Sequence, residues 1–96
     1  MIGGDIERVK ERILPILKKH GVARAALFGS LVSEGLERAR DVDLVVEFEG
    51  EKSLLDLVAL KLDLEEALGK RVDVLTYRGL HPLVRGRILR EQVVIL

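Results

Sequence analysis

The chain has 96 residues, 16 basic and 16 acidic side chains, and therefore no formal net charge; 48% of it is hydrophobic but only 3% aromatic. This length predicts a single domain over residues 1–96 with a core of Leu, Val, Ile and Ala. The absence of cysteine excludes disulfides, zinc fingers and thiol catalysis. Neutral charge with one Tyr and two Phe argues against a general nucleic-acid binder, which needs a basic stripe and stacking rings.

From Asp5 to about His20, apolar residues at Ile6, Val9, Ile13, Leu14, Ile16 and Leu17 form a helical stripe. Pro15 inside it predicts a kink or a division, and Gly21 a stop. Val22 to Phe28 reads as a short buried strand ending at Gly29, followed by a short helix or loop from Ser30. A second strand carries Asp41 and Asp43 and runs to about Phe48, with Gly50 marking a turn.

Ser53 with Asp56 three residues later is a capping box opening a helix to Leu68, which Gly69 ends. Leu60, Leu62 and Leu64 cannot all face one core; the first reading is a well-buried helix, the second a homo-oligomer or partner face. Arg71 to Leu75 predicts a third strand. Pro82 opens a last helix to about Arg90, and Val93 to Leu96 a terminal strand or packing tail. The fold class is α/β: a small mixed sheet with helices packed mainly on one face. No apolar stretch is long enough to span a bilayer, and the start leads into a charged helix, so a cytoplasmic protein without a signal peptide is expected.

Two aspartates on one face of an apolar strand carry the functional argument. Alternation sends Asp41 and Asp43 to one side and Val42 and Leu44 to the other. Asp is a poor strand former, so the pair needs a reason. It is either a solvated pair beside Arg38 or Arg40, or a divalent-cation site of the oxygen-rich kind that suits Mg²⁺ with substrate phosphates. Upstream, Gly29 permits a sharp turn, and Ser30 with the following amides can hold an anion or simply cap a helix. Phosphate cradle and paired carboxylates together point to phosphoryl or nucleotidyl transfer. His20 and His81 read as a helix-end and a turn residue, and Tyr77 as packing. Charge is segregated: residues 41–66 carry 9 acidic and 2 basic side chains, residues 67–96 carry 2 and 6. A solvated acidic helix is the plain reading, and Arg85, Arg87 and Arg90 as a positive surface for a nucleotide or acidic partner is the sharper one.

Leu27-Phe28-Gly29-Ser30, ten residues, then Asp41-Val42-Asp43-Leu44 resembles the signature of the DNA polymerase β-type nucleotidyltransferase superfamily. The short length and Ser53-Leu54-Leu55-Asp56-Leu57 resemble its smallest branch, the minimal nucleotidyltransferases, over about Ile13 to Ile95. The resemblance implies that Asp73 completes an acidic triad with Asp41 and Asp43 as metal ligand and base; on its own Asp73 could equally be an edge-strand charge. It further implies two Mg²⁺ ions, ATP as nucleotide donor, the β- and γ-phosphates held at Gly29 and Ser30, and in-line attack of a hydroxyl on the α-phosphate. The sequence departs from that family at Ser33, where an arginine is usual, and at Arg40, where a small neutral residue is usual.

Larger members carry an acceptor-binding domain for which 96 residues leave no room, so the acceptor is expected on another chain. The branch implies a small helical HEPN-type partner in a toxin–antitoxin module, with AMP transferred to the toxin. The alternative is a binding module without turnover that neutralises its partner by contact. A small-molecule transferase is a third reading that would require dimerisation.

Overall fold

The computed structural model describes residues 2–96, with side-chain surroundings from Gly4 onward. In chain order the elements are α1 (Ile2–Lys19), β1 (Val22–Phe28), α2 (Ser30–Glu34), β2 (Asp41–Phe48), α3 (Leu54–Leu68), β3 (Arg71–Thr76), α4 (Pro82–Glu91) and β4 (Val93–Val94). The sheet runs β3-β2-β1-β4, with β1 antiparallel to both β2 and β4, and β2 parallel to β3. The parallel pair needs a crossover, and α3 supplies it. This is the mixed α/β sheet that the sequence predicts.

Period-two burial explains the layers. Val42, Leu44 and Val46 of β2 are fully buried, with Ala25 and Leu27 of β1 and Val72 of β3, against Val9, Ile13 and Leu17 of α1 and Leu60 and Leu64 of α3. The opposite face is covered over only part of its area: Ala26 and Val45 pack there with Tyr77, Leu80 and the partly buried Ile88 and Leu89 of α4. Each such Leu or Val contributes roughly 1.5–3 kcal/mol on burial. Val45 is therefore covered while Asp41 and Asp43, on its own side of β2, lie outside that smaller core.

Several local expectations are met and some are corrected. Pro15 lies inside α1 without dividing it, and the helix begins at Ile2, ahead of Asp5. Asp5, in the first turn of α1, is buried, and its Oδ2 accepts the Leu36 N–H at 3.0 Å, which ties α1 to the loop before β2. The α3 helix is not wholly buried. Leu60 and Leu64, one turn apart, face the core, whereas Leu54, Leu55, Val58 and Leu62 are exposed. His20 does more than end a helix, since its Nε2 lies 2.7 Å from Asp63 Oδ2 on α3.

The capping box forms as read. Ser53 Oγ accepts the Asp56 N–H at 3.3 Å, Asp56 Oδ2 accepts the Ser53 N–H at 2.8 Å, and Gly69 closes the helix in the left-handed conformation. Ser53→Ala is expected to lower stability by about 1 kcal/mol, read as a lower urea midpoint at unchanged slope.

Candidate active site

Three elements meet at the uncovered end of the sheet. Phe28 of β1 lies opposite Asp43 of β2, and Asp43 lies opposite Asp73 of β3, so the three form one row across the strands. Asp41 is two residues from Asp43 on the same strand face. The parallel register is what brings Asp73 beside Asp43 although 30 residues separate them.

Gly29 follows Phe28 with φ +76° and ψ −150°, a region open in practice to glycine alone. A Cβ here would overlap the Asp43 carboxylate. The bare Cα thus lets the turn into α2 pass directly against that side chain. Gly29, not Ser30, is the N-cap of α2, and its carbonyl accepts the N–H groups of Val32 and Ser33 at 3.1 and 3.2 Å. Ser30 is the first helical residue, so reading it as a helix cap is wrong. Ser33, at the position of the usual arginine, turns its hydroxyl back to the Gly29 carbonyl at 3.4 Å. Arg40 is exposed in the bend before β2.

Burial raises the Asp43 carboxyl above its ordinary range, and the adjacent Asp73 and Asp41 carboxylates raise it further. Asp43 is half-buried between a half-buried Asp41 and an exposed Asp73. Among the described residues no three acidic or imidazole side chains converge into a ready-made cation cage. Asp43 is flanked by Asp73 on the neighbouring strand and by Asp41 two residues before it on its own. The donor set fits a hard divalent cation in kind: three carboxylates, all oxygen, with a central one destabilised in its charged form.

The same charges fix a pH dependence. Asp43, raised in the fold, weakens folding once ionised and ceases to do so as pH falls through its raised range. Asp5, lowered chiefly by the Leu36 N–H, and Asp56, lowered by Ser53, act oppositely: their stabilisation is present above the ordinary carboxylate range and is lost as pH falls through their lowered values. Without metal, Asp43→Asn should therefore exceed wild type in urea midpoint at neutral pH. The gap should close on acidification, and a gap independent of pH would contradict the charge assignment.

A cleft of about 340 Å³ opens beside the row, lined by Phe28, Asp43, Asp73, Val58, Leu75 and Lys61, among others. Lys61 did not enter the sequence reading of the site. Its being one of two cations among residues 41–66 is the signal that could have found it. The arginines of α4 are partly committed elsewhere: Arg85 donates to the Tyr77 carbonyl at 3.0 Å and Arg87 pairs with Glu91 at 3.3 Å. Tyr77 packs as expected, buried under the Arg24 guanidinium and donating to Gln92 at 2.8 Å. His81 is the N-cap of α4, accepting the Leu83 N–H, rather than a turn residue.

Residues 11–96 match the family model described as polymerase beta, nucleotidyltransferase. The chain belongs to the polymerase β nucleotidyltransferase family, and it is a nucleotidyltransferase by descent and by fold. Its similarity is to the minimal members. A Methanocaldococcus jannaschii protein provisionally named a protein adenylyltransferase is 54% identical over 96% of this chain and 99% of its own length. The protein adenylyltransferase MntA of Thermococcus cleftensis is 36% identical over 81% of this chain and 79% of its own. A solved structure described as a minimal nucleotidyltransferase superposes with a TM-score of 0.77 at 40% identity, covering 92% of this chain and 90% of that one. The fold alone is shared with a Shewanella oneidensis complex of an AMPylated HEPN toxin with its MNT antitoxin, at 16% identity, TM-score 0.74, over 94% of this chain and 71% of the other. No helix among the described residues is long and apolar enough to cross a membrane.

Proposed function

We propose that the chain transfers AMP from ATP to a hydroxyl of a small helical HEPN-type protein and thereby acts as an antitoxin. The observation that carries this reading is the row Phe28–Asp43–Asp73, with Asp41 beside it and the bare Gly29 Cα against Asp43. Asp41, Asp43 and Asp73 would hold magnesium, two ions in the two-metal pattern. Bound there, magnesium would neutralise triphosphate charge and acidify an attacking hydroxyl.

The chain's own groups have separate tasks. Gly29 gives the triphosphate close backbone approach, and Ser30 offers a hydroxyl to a phosphate oxygen. Asp41 and Asp43 set the α-phosphate against β2. Asp73, exposed at the outer strand, takes the proton of the incoming hydroxyl while the α–β phosphoanhydride bond breaks and pyrophosphate leaves. The names of the adenylyltransferase relatives and the AMPylated toxin in a fold neighbour support AMP as the group moved and a HEPN-type protein as the acceptor.

Intact mass of the HEPN-type partner, incubated with ATP and Mg²⁺ and either wild type or Asp41→Asn, tests this. An AMP-sized gain with wild type alone is the expected result. Stable binding with no gain would make the chain a contact inhibitor, and absence of binding would remove the antitoxin role.

A further inference from the structure

The position of the proton acceptor says from which side the second substrate must come. Gly29 directly follows β1 and Asp73 lies on β3, so the phosphate side and the hydroxyl side of Asp43 fall on opposite flanks of β2. Beyond β3 there is no further strand among the described residues. The acceptor hydroxyl therefore arrives across the free edge of the sheet.

That edge has unmet backbone groups. In a parallel strand, the N–H and C=O of a residue point to the same side, and alternate residues to opposite sides. Tyr77 donates to Val46 on β2, which turns Asp73 and Leu75 toward β2 and Val72, Val74 and Thr76 outward. At one end of the edge Glu65 Oε2 already accepts the Val72 N–H at 3.0 Å, and at the other the Thr76 carbonyl accepts the Gly79 N–H at 3.1 Å. Between these caps remain the Val72 carbonyl, both backbone groups of Val74 and the Thr76 N–H. Exposed strand edges normally carry protection; here the ends are capped and the middle is open.

The space along the edge is shaped for a chain. The cleft of about 340 Å³ at Asp73 adjoins a second of about 750 Å³ that reaches Thr76 and Arg78, and Leu57 of α3 lines both. Leu54 and Val58 of α3 and Leu75 of β3 are exposed along this path. A groove of mixed lining, apolar at Leu54, Leu57, Val58 and Leu75 and charged at Lys52 and Arg78, beside open strand hydrogen bonds suits an extended polypeptide, which pairs through its backbone and seats alternate side chains.

We propose that the acceptor protein docks by adding an extended segment, a loop or terminus, to the free edge of β3. This rests on the transferase reading above and names how its acceptor is held. Alternate side chains of the added strand fall on the two faces of the sheet. Those on the Leu75 side stand one strand spacing from Asp73, roughly 4.8 Å away, and those on the other enter the groove against Leu57 and Val58. A Ser, Thr or Tyr on the Leu75 side presents its hydroxyl oxygen to the α-phosphorus. The new O–P bond forms, the bond to the pyrophosphate oxygen breaks, and Asp73 receives the proton.

Amide hydrogen exchange by NMR on the full ¹⁵N-labelled chain, alone and with the HEPN-type acceptor protein, tests the docking directly. The Val74 and Thr76 amides should slow by about tenfold or more on binding, whereas Val72, already held by Glu65, should change little. In parallel, Val58→Glu should raise the KM for the acceptor about tenfold with the Kd for ATP little moved. AMP transfer without protection at Val74 and Thr76 overturns strand addition and leaves the transferase reading standing. Protection without any mass gain on the partner upholds the docking and overturns the transfer. Val58→Glu weakening ATP instead would assign the cleft to the nucleotide and overturn the proposal, and no binding at all overturns both.

Discussion

Asp43→Asn is expected to abolish AMP transfer, by at least about a thousandfold in kcat/KM, while leaving the metal-free protein slightly more stable than wild type at neutral pH. The two halves of this result have one cause. Asp43 is the carboxylate that both others flank, and burial plus those neighbours already disfavours its charge. Removing that charge relieves repulsion among the three carboxylates and, on the proposed metal role, would also remove the central ligand. A site serving only as a solvated surface would respond differently, because an exposed aspartate changed to asparagine alters little. The paired measurement is pyrophosphate release in the presence of the partner and thermal midpoint without metal. Retained transfer would sink the role of Asp43, and a large loss of stability would mean that the carboxylate is structural.

The residues that carry this argument were legible in the sequence because each breaks a local rule. Aspartates in an apolar strand contradict strand propensity, and a glycine closing one strand contradicts its continuation. The strand bounds 22–28 and 41–48, the capping box at Ser53 and the helix start at Pro82 followed from the same short-range chemistry. What the sequence could not show is long-range. That Asp73 stands opposite Asp43 depends on the parallel register, which no local pattern states. The Asp5–Leu36 and His20–Asp63 hydrogen bonds join residues 31 and 43 positions apart, and Lys61 enters the cleft only once α3 lies on the sheet.

Exposure of the α3 leucines has the same origin. Their spacing shows that Leu60, Leu62 and Leu64 cannot share a face, but only packing decides which one loses. Leu60 and Leu64 win because they are one turn apart, and Leu62 is left in solvent. With Leu54, Leu55 and Val58 it keeps an apolar surface on the helix that borders the open edge of β3, the edge at which the acceptor is proposed to dock.

Gly29→Ala should damage nucleotide binding far more than Ser30→Ala. Two penalties coincide at Gly29. Its backbone conformation costs a residue with a Cβ on the order of 1–3 kcal/mol. Its Cβ would also overlap the Asp43 carboxylate, so the strain falls on the half-buried middle residue of the acidic row rather than on a flexible surface group. Relief requires moving Asp43 out of the row or re-turning the entry to α2, and either displaces the carboxylate from the phosphate side. Ser30→Ala, within the first turn of α2, deletes one hydroxyl and leaves the backbone path intact, a loss on the order of 1 kcal/mol, or a few-fold to tenfold in Kd. Calorimetric titration of each variant with ATP and Mg²⁺ should therefore give no measurable heat for Gly29→Ala and a weakened isotherm for Ser30→Ala. Urea denaturation should also show Gly29→Ala as the less stable of the two. Equal or reversed affinities would mean that the triphosphate does not approach the chain at Gly29, and the phosphate cradle would have to lie elsewhere.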